Sequence, residues 1–363
     1  MKKVEETQGI LLTSSLHLII KMRNELTDSY GRVLDYLRIS ITDRCNLRCI
    51  YCMPLEGVEW KPHNNILTFE QIIRIVRIFS ALGIKKIRVT GGEPLLRRGV
   101  SSFLNELKSI SGIENVTLTT NGIFLSAYLD EAGSSGTALP DSINISLDSL
   151  SSEKYKQITR CDYNHHSAQP QGQPEIILAA IDRLLENKIT VKINCVPMRG
   201  VNEDEVISLA SLAKDKNIII RYIELMPIGC ASSLQPVPGK KAAQIIEKAF
   251  GTLTPFYGVK GNGPAVYYSL PNFKGNIGFI NAVTHGFCEN CNRLRLTSVG
   301  FLKLCLSDSI GLDLKKLIIA DRSDDEIARS ITEAVTKKPR FHTLSGIYSR
   351  QEPQSESMSK IGG

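Results

Sequence analysis

From residue 30 onward, short runs of Ile, Val and Leu alternate with longer stretches whose apolar positions recur every three or four residues. Six of the short runs read as strands: residues 37–41, 86–90, 116–120, 143–147, 191–196 and 218–224. A helical pattern follows each of them. Thr68-Phe69-Glu70-Gln71 opens one helix as a capping box, Ile72, Ile73, Val76, Phe79 and Leu82 form its apolar face, and Gly83 ends it. Asn202-Glu203-Asp204-Glu205 opens another in the same way, ahead of Val206, Leu209, Leu212 and Ala213. Strand–helix units in series with near-continuous apolar strands predict a parallel sheet, either doubly wound or curved into an open barrel. Polar residues gather at the C-terminal ends of the strands, where barrels carry their sites, which favours the open barrel.

Other stretches break this rhythm. Residues 1–27 hold Lys2, Lys3 and a short apolar segment, but Glu5 and Glu6 interrupt the basic end and no small-residue cleavage site follows. A signal peptide is therefore disfavoured, as is organelle targeting, and the segment reads as a flexible extension in which Met22 is an alternative start. Residues 162–174 form a turn-rich polar loop whose His165 and His166 read as solvated, and Gly133-Ser134-Ser135-Gly136-Thr137 reads as another surface loop, over 133–140. Residues 227–239, with three prolines, mark a boundary. They separate a barrel region (28–235) from a C-terminal region (236–345), and residues 346–363 form a tail ending in Gly362-Gly363. The C-terminal region begins with a helix at 242–250, continues with a β-rich segment and ends with an acid-rich helix near 324–335.

Composition narrows the chemistry. Nine cysteines are an odd number in a chain of 363 residues, which is long enough to need no disulfide staples. Six fall into two clusters, while Cys161, Cys195 and Cys230 are scattered and read as buried structural thiols. That usage suits metal binding in a reducing cytoplasm. A solvated surface accounts for the net charge of +7 by default and a polyanionic small ligand is the sharper reading, whereas 6% aromatics with the single Trp60 offer no interleaving for nucleic acid. No apolar run approaches bilayer length, so no membrane partner is expected.

The first cysteine group, Cys45, Cys49 and Cys52, follows the first strand with the spacing CxxxCxxC. Three is the informative count. A structural zinc site closes with four ligands, but three thiolates on a four-iron cluster leave one iron free to bind something else. The plainer alternative is a zinc loop or three unrelated thiols. The second strand runs into Thr90-Gly91-Gly92-Glu93-Pro94-Leu95, where glycines let backbone approach a ligand closely; a generic Gly-Gly turn is the alternative. The late group is Cys288 and Cys291 as CxxC, then Cys305 after thirteen residues. Zinc completed by His285 competes there with an incomplete iron–sulfur site. Arg293 and Arg295 abut this group with forked donors suited to phosphate or carboxylate.

CxxxCxxC with Tyr51 before its last cysteine, followed by Gly91-Gly92-Glu93-Pro94, resembles the radical S-adenosylmethionine superfamily. With the late Cys-x-x-Cys-Asn-Arg-Leu-Arg, the third cysteine and the Gly-Gly end, the resemblance reaches the GTP 3′,8-cyclases of molybdenum cofactor biosynthesis, from about Tyr30 to Gly363. It implies an α/β fold, an incomplete (β/α)6 TIM-like barrel whose open side is covered by a C-terminal region carrying a second iron–sulfur cluster. It implies two [4Fe-4S] clusters and S-adenosyl-L-methionine as cofactors. The implied reaction cyclises GTP to (8S)-3′,8-cyclo-7,8-dihydroguanosine 5′-triphosphate, by way of a 5′-deoxyadenosyl radical that takes the 3′ hydrogen.

Position by position, the resemblance makes Cys45, Cys49 and Cys52 ligands of the first cluster, and Cys288, Cys291 and Cys305 ligands of the second. Tyr51, Gly92, Ser146 and Met226 would contact S-adenosylmethionine. Arg38, Lys86, Arg88, Thr119, Lys192, Arg221, Arg293, Leu294 and Arg295 would contact GTP, and Arg293, Arg295, Gly362 and Gly363 would serve catalysis. Strand periodicity supports part of this, since Lys86 and Arg88 are two apart and share a face. The implied partners are an electron donor such as flavodoxin or ferredoxin, the downstream cyclic pyranopterin monophosphate synthase, and a second copy in a homodimer. A peptide-modifying radical enzyme is the nearer rival, although it needs no triphosphate-type set of cations. A zinc-stabilised nucleic-acid module is the more distant one.

Overall fold

The computed structural model describes residues 25–161, 173–258 and 263–342. Residues 1–24, the loop pair His165 and His166, and the Gly362-Gly363 tail lie outside them. Six strands come first: β1 (Tyr36–Ser40), β2 (Lys86–Thr90), β3 (Asn115–Thr120), β4 (Ser142–Ser146), β5 (Thr190–Cys195) and β6 (Ile219–Ile223). The helices between and after them are α1 (Phe69–Ala81), α2 (Val100–Ser109), α3 (Leu125–Ser135), α4 (Ser152–Thr159), α5 (Pro174–Glu186), α6 (Glu205–Asp215) and α7 (Gly239–Phe250). The chain then runs through β7 (Thr254–Pro255), β8 (Val266–Ser269), β9 (Asn276–Ile280), β10 (Arg293–Leu296), β11 (Phe301–Lys303), β12 (Gly311–Asp313), α8 (Leu314–Ile319) and α9 (Asp324–Val335).

All these strands join one open sheet, in the order β12-β11-β10-β1-β2-β3-β4-β5-β6-β9-β8-β7. β1 to β6 are mutually parallel. β10 adds a parallel strand beside β1, and β9 adds one beside β6. The C-terminal region is therefore more than a cover, because its strands extend the barrel sheet at both edges. A single cavity is lined from all eight parallel strands, by Arg38, Arg88, Thr119, Ser146, Asn194, Arg221, Ile280 and Arg293 among others. The sheet must curl around it.

Two-residue alternation sorts the side chains. Leu37 and Ile39, Ile87 and Val89, Leu118, Ile143 and Ile145, Val191 and Ile193, Ile220, Ile277, Leu294 and Leu296 point outward into the apolar layer shared with the helices. Their neighbours Arg38, Arg88, Thr119, Asn144, Asn194, Arg221 and Arg295 point inward. The outer layer holds the fold together, which leaves the concave face available for polar groups.

Helix α1 begins with the expected capping box, Thr68 accepting from Gln71 N–H while the Gln71 side chain accepts from Thr68 N–H. Helix α6 does not, since Asp204 makes no side-chain cap. Its expected capping residues have better partners elsewhere. Asn202 is buried and donates to the Asp148 carbonyl at 2.9 Å, and Glu205 accepts from Leu150 N–H at 2.9 Å. The loop expected at 133–140 begins later. Gly133, Ser134 and Ser135 complete α3, the serine hydroxyls bonding back to carbonyls of Asp130 and Glu131, and Gly136 ends the helix at φ 65°.

The proline-rich stretch 227–239 is not a free linker. Val237 N–H donates to Pro197 and Arg199 N–H to Gln235, stitching it to the loop after β5. The extension also ends earlier than residue 27. Leu26 is buried and Thr27 bridges Val33 in a tight hairpin. Among the described residues no helix is long and apolar enough to cross a membrane.

Candidate active site

The first cysteine trio sits on the loop after β1, pinned on both sides. Arg48 N–H donates to Thr159 and Ile50 N–H to Ile158, so the loop lies along the end of α4. The Arg48 guanidinium ties the loop together by donating to the carbonyls of Cys45 and Leu47. On the other side, Gly92 N–H donates to Thr42 O and Glu93 N–H to Arg44 O, each at 2.7 Å. A Cβ on Gly92 would collide with the Arg44 carbonyl, and one on Gly91 with that of Thr42. The glycines thus serve a close approach of backbone to backbone, which fixes the residues leading into Cys45.

Two buried carboxylates frame this loop. Glu93 accepts from Leu95 N–H, Thr120 Oγ1 and Asn121 N–H, the last two at 2.7 Å. Burial nonetheless pushes its carboxyl up to about 7. Asp148 accepts from Tyr51 OH and Val196 N–H, both at 2.7 Å, and burial lifts it to about 6. Tyr51 is thereby anchored to a residue two positions beyond the end of β4.

The cations form a row. Register places Arg295 of β10 beside Arg38 of β1, and Arg38 beside Arg88 of β2. One pleat deeper, Arg293, Tyr36 and Lys86 form a second row. Burial, with Arg295 and Arg88 alongside, holds Arg38 well below the usual guanidinium range. Burial followed by Arg293 brings Arg295 to about 10, and burial followed by Arg88 brings Arg221 to about 10. Arg221 donates to Asn144 Oδ1 at 2.6 Å, and Asn144 donates to Thr119 Oγ1 at 3.3 Å. Arg88 Nε, Arg221 Nε and Arg295 Nη1 are buried N–H groups with no acceptor among the described residues. Each such group costs about 1–3 kcal/mol until something accepts from it, so this face suits a polyanion.

The second trio lies across the same cavity, of about 330 Å³, which all six clustered cysteines line. Burial pushes the Cys45 thiol up to about 11 and raises Cys49 as well. Burial acts the same way on Cys291, but Lys338 and Arg293 outweigh it and bring the thiol to about 7. Thiolates in the first trio therefore need compensating positive charge, which an iron–sulfur cluster supplies. Backbone N–H groups already aim at sulfur in both trios, Leu47 at Cys45 and His342 at Cys288, each 3.4 Å away. The donor set fits the group.

Comparison with known proteins supplies the family. The model of the Radical SAM superfamily matches residues 39–213, and that of Molybdenum Cofactor Synthesis C matches residues 218–344. The GTP 3′,8-cyclase of Pelotomaculum thermopropionicum is 42% identical over 342 residues, covering 93% of this chain and 100% of that protein. The chain belongs to the GTP 3′,8-cyclase family. The GTP 3′,8-cyclase of Petrotoga mobilis is 40% identical over 342 residues, and that of Clostridium perfringens strain 13 is 38% identical over 338. Each pairing covers 93% of this chain and 100% of the relative. Among solved structures, Streptococcus suis SuiB bound to S-adenosylmethionine superposes with a TM-score of 0.57 at 14% identity, covering 95% of this chain and 74% of that one. An anSMEcpe chain with bound AdoMet gives a TM-score of 0.52 at 14%, covering 87% and 81%. At that identity the likeness shows the fold alone.

Most site residues expected of a family member line the cavity: the six cysteines, Tyr51, Gly92, Ser146, Met226, Arg38, Arg88, Thr119, Arg221, Arg293 and Arg295. Three do not. Leu294 is fully buried in the outer apolar layer, opposite Leu37, because alternation turns it away from its two arginine neighbours. Lys86 shares the face of Arg88 but sits deeper, 3.3 Å from Asp35. Lys192 is buried one pleat below Asn194. The isolated cysteines also differ from expectation. Cys195 is buried as expected, but Cys161 and Cys230 are half-buried, and all nine cysteines are free of disulfides. His285, the alternative zinc ligand, faces solvent beside Thr284. Among the described residues no three His, Cys, Asp or Glu are grouped to hold a single metal ion. Tyr36, Asn194, Lys338 and His342 line the cavity without having been singled out. Only the inward phase of Tyr36 and Asn194 was there to be read.

Proposed function

We propose that this chain cyclises GTP to (8S)-3′,8-cyclo-7,8-dihydroguanosine 5′-triphosphate in molybdenum cofactor synthesis. It is a radical SAM enzyme of the GTP 3′,8-cyclase family, with S-adenosylmethionine and an iron–sulfur cluster as its cofactors. The observation that carries the finer reading is one cavity bordered by two cysteine trios and a row of arginines, in which Arg88 and Arg295 hold buried N–H groups with no acceptor among the described residues.

Cys45, Cys49 and Cys52 would hold the first [4Fe-4S] cluster, and Cys288, Cys291 and Cys305 a second. When bound, the first cluster and S-adenosylmethionine supply a 5′-deoxyadenosyl radical. The chain's own part is positioning and charge. Tyr51, held by Asp148, lines the cavity together with Gly92, Ser146 and Met226, and these would orient S-adenosylmethionine. Arg295, Arg88 and Arg221 offer buried N–H groups to triphosphate oxygens, and Arg38 and Thr119 line the same cavity. Arg293 lies over the Phe287 ring at 4.5 Å, beside the second trio, and would keep the guanine end in place. The concave wall would limit the access of water to the reacting atoms. Lys86, Lys192 and Leu294 would act, if at all, from behind this lining. Gly362 and Gly363 belong to the same reading as catalytic tail residues.

In this reading, residues 28–235 carry S-adenosylmethionine, residues 236–345 complete the GTP site, and a flavodoxin or ferredoxin delivers the electron in the cytoplasm. The product passes to a cyclic pyranopterin monophosphate synthase, and the enzyme works as a homodimer. The test is anaerobic turnover with GTP, S-adenosylmethionine and dithionite, followed by mass spectrometry of nucleotide products. Formation of 5′-deoxyadenosine together with the cyclised nucleotide is expected. In Arg293→Ala or Arg295→Ala, nucleotide turnover should fall by at least about tenfold, matching the loss of one charge-assisted hydrogen bond, while iron content stays unchanged. GTP-independent 5′-deoxyadenosine with no cyclised product would refute the assignment.

A further inference from the structure

Two stretches far apart in the sequence converge on the second cysteine trio. Residues 26–34 form a hairpin in which Asp28 Oδ1 accepts from the N–H groups of Tyr30 and Arg32, at 2.9 and 3.1 Å. The Asp28 carboxylate also takes Arg32 Nε at 2.6 Å, with both side chains buried. The rest of that guanidinium is spent on three carbonyls. Nη1 donates to Cys288 at 2.7 Å and to Arg340 at 3.0 Å, and Nη2 donates to Pro339 at 2.8 Å. One arginine thus clamps the chain at 339–340 onto the first cysteine of the trio. Ser29 Oγ adds a bond to Thr336 O at 2.7 Å, fastening the hairpin to the end of α9.

The clamped segment reaches the other two cysteines through Lys338. Its ammonium, on a side chain only 3% exposed, donates to Arg293 O at 3.0 Å and to Leu304 O. The first carbonyl lies two residues after Cys291, and the second immediately precedes Cys305. Lys338 therefore bridges the two arms that bear those thiols. Burial weighs most against that charge, the thiols of Cys291 and Cys305 favour it, and Arg32 and Arg293 add to the opposition. His342 closes the ring, its backbone N–H 3.4 Å from Cys288 Sγ and its Nε2 3.0 Å from Ala282 O. A buried ammonium held by carbonyls against two thiol groups is costly unless the site gains from a fixed positive charge.

We propose that Lys338, held in place by the Asp28–Arg32 clamp, is a positioning residue of the second metal centre, fixing the separation of its cysteine arms and keeping a positive charge beside the metal. This rests on the reading of Cys288, Cys291 and Cys305 as an iron–sulfur site. A nearby cation stabilises the reduced, more negative form of a cluster, and hydrogen-bonded outer groups slow metal loss.

The experiment uses the full chain, purified anaerobically with its iron–sulfur centres loaded. Potentiometric electron paramagnetic resonance follows each centre, the first assigned by its response to S-adenosylmethionine and the second by its response to GTP. Lys338→Met should move the midpoint of the second centre to a more negative potential and leave the first unmoved. It should also speed loss of the second centre's iron to a chelator by about 10–100-fold. Lys338→Arg, which keeps the charge, should restore the potential. Arg32→Met, remote from the sulfurs, should speed iron loss with a smaller change in potential. An unchanged potential and unchanged iron loss in Lys338→Met overturn the proposal. If that variant does not fold, unchanged iron loss in Arg32→Met does so instead. Wild-type chain with iron for the first trio alone defeats the two-centre reading as well, whereas two loaded centres indifferent to Lys338 defeat only this proposal.

Discussion

Replacing Arg38 by methionine removes the middle member of the row Arg295–Arg38–Arg88 while keeping most of its length and apolar stem. Adjacent strands are about 4.8 Å apart, and side chains that splay put neighbouring guanidiniums about 5–8 Å from one another. With an effective dielectric near 20, each neighbouring pair then repels by roughly 2–3 kcal/mol. Solvent in an open cavity screens part of this, leaving about 2–3 kcal/mol as the combined strain that Arg38→Met relieves. A chain of this size unfolds with an entropy of about 0.7 kcal/mol per kelvin, so the melting temperature without nucleotide should rise by about 3–4 °C. The opposite holds with GTP. Losing one charged hydrogen-bond partner of a phosphate costs about 1.5–3 kcal/mol, or about 10–100-fold in affinity. The assay is anaerobic differential scanning calorimetry with and without GTP, paired with titration calorimetry. The unliganded enzyme should melt higher and the GTP-induced shift should shrink. An unliganded variant that melts lower than wild type, with its GTP shift intact, would show that the row is a structural network and not a preformed phosphate site.

Two other substitutions probe the first trio. In Gly92→Ala the new methyl must push against the Arg44 carbonyl, parting a backbone pair that fixes the approach to Cys45. A stability loss of about 1–3 kcal/mol is expected, with iron lost from the first centre and retained by the second, and metal analysis with unfolding curves checks both. Glu93 is raised to about 7 in the folded chain from an ordinary value of 4.5, chiefly by burial. The folded state then holds the proton more tightly, so this contribution to stability is full below about pH 4.5 and is lost as pH rises through about 7. Asp148, raised from 3.8 to about 6, acts in the same sense over a lower window. Urea unfolding of the metal-free chain in steps from pH 5 to 8 should show stability falling, and Glu93→Gln should flatten that fall; equal slopes in the two chains would contradict it.

Local signals were read well where the local minimum is also the global one. The apolar runs locate β1 to β6 to within one residue, and Thr68, exposed at the start of α1, caps it as its local signature predicts. Asn202 and Glu205 carry the same local signature but are drawn into the buried network around Asp148 and Leu150. Burial makes those bonds worth more than an exposed cap. Ser134, Ser135 and Gly136 have a loop-like composition, yet the serines bond back along the helix and the glycine serves as its end. The cysteine trios were legible because their spacing is a property of the chain itself. Lys338 and Arg32 were not, since each acts through carbonyls that only the folded chain brings near.

The cations show where that boundary lies. Alternation along a strand tells which residues share a face, and it set Lys86 with Arg88 correctly. It says nothing about depth, which depends on how each strand is registered against its neighbours. Because Tyr36 lies opposite both Lys86 and Arg293, the row above it contains Arg88, Arg38 and Arg295, and Lys86 falls one pleat below, beside Asp35. The decisive pairing is β1 with β10, between residues some 257 positions apart such as Arg38 and Arg295. Without that pairing, β1 to β6 would still offer Arg38 and Arg88, but neither the third arginine nor the second trio would reach the cavity. The site is therefore completed by the sheet's edge, which explains why its residue types were readable from sequence while the row they form was not.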